Sequence, residues 1–110
     1  MATTYKVLGQ AAPADTANAD LYTVPASTEA VISTLLVTNT TATAATSRIF
    51  VRVGGAAAAA SNAVIYDGSV AANDFTAITL GITLAATDVI TVQSGTANAL
   101  TFQAFGSEIA

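Results

Sequence analysis

The sequence predicts an all-β protein, namely an antiparallel β-sandwich or jelly roll of about seven or eight short strands. Apolar and polar residues alternate with a period of two along most of its 110 residues, as in strands with one buried face. Threonine and valine, which favour pleated surfaces, are frequent. Turn-forming residues separate the alternating segments at short intervals, which is typical of sandwiches.

The first half of the chain contains three predicted strands. Residues 5–9 and 21–24 are short and weakly patterned, and residues 10–20 are expected to form an irregular arm or linker. Residues 1–20 are thus an N-terminal strand and arm of a single domain that spans residues 1–110. Residues 30–39 are apolar at both phases of the alternation, so we expect a central strand that is covered on both faces.

The second half of the chain supplies the remaining strands. Residues 47–53 alternate strictly, with one phase facing inward and the other outward. The inward phase is Ile49, Val51 and Val53, and the outward phase is Arg48, Phe50 and Arg52. Residues 75–84 are predicted to form one continuous strand, whose inward side chains are Ile78, Leu80, Ile82 and Leu84. Shorter strands are predicted over residues 64–67, 88–93 and 99–105.

A low-complexity stretch of glycine, alanine and serine occupies residues 54–61. Its alanine run is too short to hold a helix alone, so we predict a loop of small side chains with at most one helical turn. The alternative interpretation is that this loop is kept small because a neighbouring subunit packs closely against it.

Charged residues are scarce, at 9% of the chain against about 25% in ordinary soluble domains. This favours a surface that is largely covered by something else. The net charge of −4 disfavours nucleic acid as a partner, because duplexes require many lysines and arginines. Polar residues interrupt every apolar run well before the ~20 residues of a spanning helix, so no membrane contact is expected. The start lacks the apolar region of a signal peptide, so we expect folding in the cytoplasm.

The residue inventory argues against an enzyme. Histidine and cysteine are absent, which excludes Ser-His-Asp and Cys-His catalysis and the usual zinc sites. Neither common glycine motif for phosphate binding is present. Asp67, Asp74 and Asp88 lie at the ends of predicted strands or in turns, where we interpret them as turn caps rather than as a glycosidase pair. We therefore expect no catalytic residues, no cofactor and no metal.

The outward phase of residues 47–53 is the most informative cluster of side chains. Arg48 and Arg52 are two of only three basic residues, and they flank Phe50. An aromatic ring between two arginines is typical of an interface anchor. The alternative is a solvated strand face on which the arginine stems cover the ring. As an interface, it would pair with acidic residues of a neighbouring subunit, such as Glu29, Asp67 or Asp74.

Several strand and turn segments together resemble small virion proteins of tailed bacteriophages. They are residues 4–10 (TYKVLGQ), 20–27 (DLYTVPAS), 30–35 (AVISTL), 70–74 (VAAND), 79–90 (TLGITLAATDVI) and 102–109 (FQAFGSEI). The resemblance covers nearly the whole chain, but residues 54–63 depart from it by being richer in alanine and uncharged. It implies a β-sandwich or jelly-roll subunit of the virion, made in the host cytoplasm, that binds other virion proteins.

The leading hypothesis is a structural virion protein, specifically a capsid decoration (cement) protein that stabilises the shell through subunit contacts. It is expected to form a small homo-oligomer, such as a trimer, and to bind the major capsid protein or other virion proteins. The expected contact residues are Arg48, Phe50 and Arg52, together with Tyr5 and Lys6 in the arm. The alternative hypothesis is a tail fibre or baseplate module that binds a host surface glycan.

Overall fold

The computed structural model describes residues 2–110, which contain nine β-strands and two short 3-10 turns. The strands are β1 (Thr3–Ala11), β2 (Ala19–Thr23), β3 (Glu29–Asn39), β4 (Ala45–Arg52), β5 (Ala63–Val70), β6 (Phe75–Ile78), β7 (Ile82–Leu84), β8 (Val89–Ser94) and β9 (Leu100–Ile109). The 3-10 turns are Val53–Gly55 and Ala60–Asn62, at the two ends of the predicted small-residue loop, for which at most one helical turn is expected. Within residues 2–110, no helix is long and apolar enough to cross a membrane.

The strands form two antiparallel sheets that pack face to face. Sheet A has the order β1-β9-β3-β6, and β7 pairs with β3 beside β6. Sheet B has the order β2-β8-β4-β5. The pairs β1–β9, β2–β8, β3–β6/β7 and β4–β5 are nested, which is how a long hairpin folds over into a jelly roll. The predicted fold class is therefore confirmed, with β6 and β7 sharing the position of one strand.

The prediction of one continuous strand over residues 75–84 is wrong. The strand leaves the sheet between Ile78 and Ile82, where Gly81 adopts a φ of 64° and Leu80 is 60% exposed instead of inward. The break lies opposite a bulge in β3, whose register with β9 shifts between Ile32 and Thr34. The segment from Ile78 to Ile82 is one residue longer than the stretch of β3 that it faces, so the two backbones lose register and the strand is interrupted there.

The core lies between the two sheets and is built from the inward phases of the strands. Its largest fully buried apolar side chains are Val24, Ile32, Leu35, Val37, Ile49, Ile90, Val92, Leu100 and Phe102. Val53, predicted to continue the inward phase of β4, is exposed because β4 ends at Arg52 and a 3-10 turn follows. The inward phases of β4, β8 and β9 otherwise match the predicted pattern.

The prediction that residues 30–39 are covered on both faces is wrong within one chain. β3 is central, since it pairs with β9 on one side and with β6 and β7 on the other. Its inner side chains are buried, but Val31 and Leu36 on its other face remain partly exposed. Residues 2–110 form only two layers, so none of them covers the outer face of sheet A.

The irregular segment between β1 and β2 lies against the body of the sandwich. β1 itself is an edge strand of sheet A, paired with β9 along its length. Residues 12–18 then cross to sheet B, and Pro13 in this connection is buried. Its carbonyl accepts a hydrogen bond from the Asn98 N–H at 3.3 Å. The predicted arm is thus a connection between the sheets.

Candidate interaction surface

Arg48, Phe50 and Arg52 share the outer face of sheet B, as the alternation predicts. Phe50 nevertheless is only 4% exposed. Ala58–Ala60 of the small-residue loop lie beside it, and the Tyr66 ring meets it edge-on with centroids 6.5 Å apart. The loop therefore packs on this chain's own aromatic ring. The Phe50 side chain is therefore buried on the outer face of sheet B, and it offers little surface to a partner.

The Arg48 guanidinium is paired within the chain. It donates from Nε to Asp67 Oδ1 at 2.6 Å and from Nη2 to Asp67 Oδ2 at 3.0 Å, and it lies 4.0 Å from the Tyr66 ring centroid. Hydrogen bonding from Arg48 lowers the pKa of the Asp67 carboxyl below its ordinary value. The acidic partner expected from a neighbouring subunit is, for Arg48, supplied by the next strand of the same chain.

The Arg52 guanidinium holds the start of the small-residue loop. It donates to the backbone carbonyls of Gly55 at 3.0 Å and Ala56 at 2.6 Å. It also donates to Asp20 Oδ1 and to Thr91 Oγ1, both at 3.1 Å. Its donors are therefore used within the fold, and its main role in the single chain is to anchor the loop that covers Phe50.

Removing Arg52 is expected to destabilise the protein more than removing Arg48. Arg52→Ala leaves two loop carbonyls and Asp20 without their charged donor, which costs about 1–3 kcal/mol of unfolding free energy. Arg48→Ala removes the pair with Asp67 and the contact with the Tyr66 ring, but both partners are half-exposed, so water compensates for much of the loss. Urea denaturation of both variants measures the difference, and amide exchange in residues 53–62 should accelerate only for Arg52→Ala. Equal losses would contradict an anchoring role for Arg52.

Lys6 and Tyr5, although adjacent in β1, point to opposite sides of sheet A. Lys6 Nζ lies 3.1 Å from Glu108 Oε1, and the buried Tyr22 hydroxyl donates to Glu108 Oε2 at 2.5 Å. Burial, and then Glu108, raise the pKa of the Tyr22 phenol far above its ordinary value. Hydrogen bonds from Tyr22 and Lys6 lower the pKa of Glu108. Lys6 thus joins an intramolecular cluster at the end of the sandwich.

This cluster predicts a pH dependence of stability. A carboxyl whose pKa is lower in the folded state stabilises the fold above its unfolded pKa, and it loses that contribution as the pH falls through the folded pKa. Glu108→Gln is expected to cost about 1–2 kcal/mol at pH 7, and the gap to the wild type should close below about pH 4. Thermal unfolding of both proteins at pH 7 and pH 3 measures this. A constant gap would contradict the role of the ionised carboxylate.

The outer face of sheet A has a different character from that of sheet B. We call it the neutral face, and define it as the outward side chains of β1, β9, β3 and β6. They are Thr3, Tyr5, Val7, Gln10, Glu29, Val31, Thr34, Leu36, Thr38, Phe75, Ala77, Thr101, Gln103, Phe105, Ser107 and Ile109. Within residues 2–110, the charged side chain of this face is Glu29, at one end of β3. The neutral face is therefore apolar, threonine-rich and open.

Two aromatic rings stand out from the neutral face. Tyr5 is 84% exposed and Phe75 is 61% exposed, at opposite edges of the sheet. Beside Tyr5 lies an open hollow of about 470 Å³, with Val31 and Phe105 among its walls. Exposed apolar patches of this kind on soluble proteins mark interaction sites.

Two smaller hollows flank Arg48 on the outer face of sheet B. One, of about 320 Å³, is lined by polar residues that include Thr16, Asp67 and Gln93. The other, of about 300 Å³, lies beside Asn18 and the half-exposed Tyr66. Arg48 and Gln93 border both hollows, so the polar groups of the two lie close together around the Arg48 side chain.

The five predicted contact residues therefore lie in three places. Arg48, Phe50 and Arg52 are together but satisfied within the chain, Lys6 joins Glu108, and Tyr5 alone lies on the open neutral face. Val31, Leu36, Phe75 and Phe105 also lie on the neutral face, and none of them is among the contact residues predicted from the sequence. For Val31 and Leu36 the signal was present, because a strand that is apolar at both phases in a two-layer fold must leave one apolar face open.

Comparison of the chain with protein-family models, with curated proteins and with solved structures finds no match. In the part of the chain that the structure describes, no group of three or more acidic, histidine or cysteine side chains is arranged to hold a metal ion.

Proposed function

We propose that this chain is a structural virion protein, specifically a capsid decoration (cement) protein of a tailed bacteriophage. The observation that carries the proposal is the neutral face, an open sheet surface with Tyr5, Val31, Phe75 and Phe105 on it and almost no charge. Covering such a surface with another protein is favourable, because apolar area is removed from water. The resemblance of the strand and turn segments to phage virion proteins indicates that the assembly is a phage particle.

The jelly-roll architecture is compatible with this role but does not decide it. Jelly rolls occur in viral capsid domains and in lectins, and one fold carries many functions. Association is the mechanism: each bound copy stabilises the shell by mass action, because it binds the assembled state and not the dissociated one. The scarcity of charge suits this, since few ions lose their hydration when the surface is covered.

Particles of the parent phage that lack this protein provide the test. Purified protein is expected to bind them saturably in co-sedimentation and to raise the temperature at which the shell opens. Gln93→Ala, on sheet B away from the neutral face, serves as the control variant and should bind normally. Absence of binding at micromolar concentration, or binding without any change in shell stability, would overturn the proposal.

The second candidate function is binding of a host surface glycan by a tail fibre or baseplate module. The hollows around Arg48 favour it, because Asn18, Gln93 and Asp67 are hydrogen-bonding groups of the type that hold sugar hydroxyls, with Tyr66 beside them. The Arg48 guanidinium lies over the Tyr66 ring at 4.0 Å, which opposes sugar stacking on that side. A glycan array tests this, and a specific signal abolished by Gln93→Ala would replace the decoration proposal.

A further inference from the structure

We propose that the neutral face is covered by a second copy of this chain, so that two jelly rolls pack through their A sheets. This inference rests on the proposed function, which requires that another protein cover the neutral face. It names a second copy of the chain as that protein. It also departs from the sequence-based expectation of a trimer, because a face that contacts itself produces a two-fold pair.

The distribution of charge favours a second copy. Each chain carries a net charge of −4, so two copies repel unless they meet where charge is absent. Most acidic side chains lie away from the neutral face: Asp15 is in the β1–β2 connection, Asp20 and Asp67 are on sheet B, and Asp88 is in the turn before β8. The neutral face has no cluster of charge that would select a basic or acidic partner instead.

The shape of the neutral face is self-complementary. It carries both a protruding ring, Tyr5, and an open hollow that this ring borders, whose other walls include Val31, Phe105 and Lys6. In a two-fold interface, residue i of one copy contacts residue j of the other, and the reverse contact forms as well. Tyr5 of each copy can therefore enter the hollow of its partner, which buries two tyrosine rings in one symmetric contact. Tyrosine rings in pockets are frequent binding hot spots.

The area of the neutral face is close to what a stable dimer needs. Three of its strands are nine to eleven residues long and β6 has four, so at about 3.4 Å per residue and about 4.8 Å between strands they project roughly 550 Å². Side-chain relief raises the accessible area above this projection. Standard protein interfaces bury about 800 Å² on each partner. The face is therefore large enough for a specific homodimer without any contribution from sheet B.

Molar mass in solution tests the inference without any virion component. Sedimentation equilibrium of the full chain is expected to give twice the chain mass at micromolar concentration. Tyr5→Asp should raise the dimer dissociation constant at least about 30-fold, because it places a charge in the hollow. Tyr5 is 84% exposed, so the variant folds, which circular dichroism verifies. Val53→Asp, which adds the same charge at an exposed site outside sheet A, is the matched control and should dimerise normally.

The outcomes separate this inference from the proposed function. A monomer at all concentrations, a trimer, or a dimer equally weakened by Val53→Asp overturns the homodimer. If the monomer nevertheless binds particles and Tyr5→Asp abolishes that binding, the neutral face contacts the shell directly and the decoration proposal stands alone. If the dimer forms and particles are not bound, the inference stands and the decoration proposal fails.

Discussion

Gly106→Ala is expected to be among the most damaging single substitutions in this protein. Gly106 lies in β9 between Lys6 of β1 and Ile32 of β3. A Cβ atom at this position would collide with the Val31 carbonyl oxygen and would lie 3.0 Å from the Ile32 Cα. Both obstacles are backbone, so room can be made only if β3 moves away from β9. The expected loss is roughly 3–5 kcal/mol of unfolding free energy, a large part of the 5–15 kcal/mol of a typical domain.

Urea denaturation measures this loss, and Gly55→Ala is the control. Gly55 has a φ of 79° and nothing within 4 Å of a Cβ atom, so its replacement adds backbone strain without a collision. Left-handed strain for alanine costs about 1–2 kcal/mol. If Gly106→Ala lowers the unfolding free energy no more than Gly55→Ala does, β3 can move away from β9 at little cost. That result would contradict the prediction.

The alternation of the sequence was enough to predict the sandwich. In β4, β8 and β9 each residue's phase determines its face, because a strand with one buried side has a period of two. The same rule fails for residues 75–84, where the alternation continues through Leu80 although the strand does not. The local signal for the break is Gly81, whose positive φ a regular strand does not allow. The register mismatch with β3, some 45 positions earlier in the chain, is not visible in the pattern around Leu80.

The candidate surface was harder to predict than the fold. The sequence placed Arg48, Phe50 and Arg52 on one face correctly, but the acidic partners and the covering loop come from β2, β5 and residues 56–62. Those partners are determined by strand order, which alternation does not encode. The neutral face was visible only indirectly. It required knowing that residues 30–39, apolar at both phases, belong to a sheet with no third layer.

Phe102→Ala is expected to reduce stability by about 3–5 kcal/mol, the cost of a large cavity in a close-packed core. Phe102 is 1% exposed and belongs to β9, where it pairs with Val37 of β3 and Ala11 of β1. Removing the ring leaves a void between the two sheets that surrounding strands fill only partly, because they are tied into ladders on both sides. Urea denaturation should show an earlier midpoint with an unchanged slope.

Phe105→Ala is the matched control, since it removes the same ring from the same strand on the opposite face. Phe105 pairs with Val7 and Thr34 on the neutral face and fills no core space. At low protein concentration its loss should cost less than about 1 kcal/mol. If neutral faces pair as proposed, the wild type should gain stability at high concentration, whereas Phe105→Ala should gain much less. Phe102→Ala, in contrast, loses the same amount at every concentration. A concentration-independent effect of both substitutions would show that the neutral face does not associate.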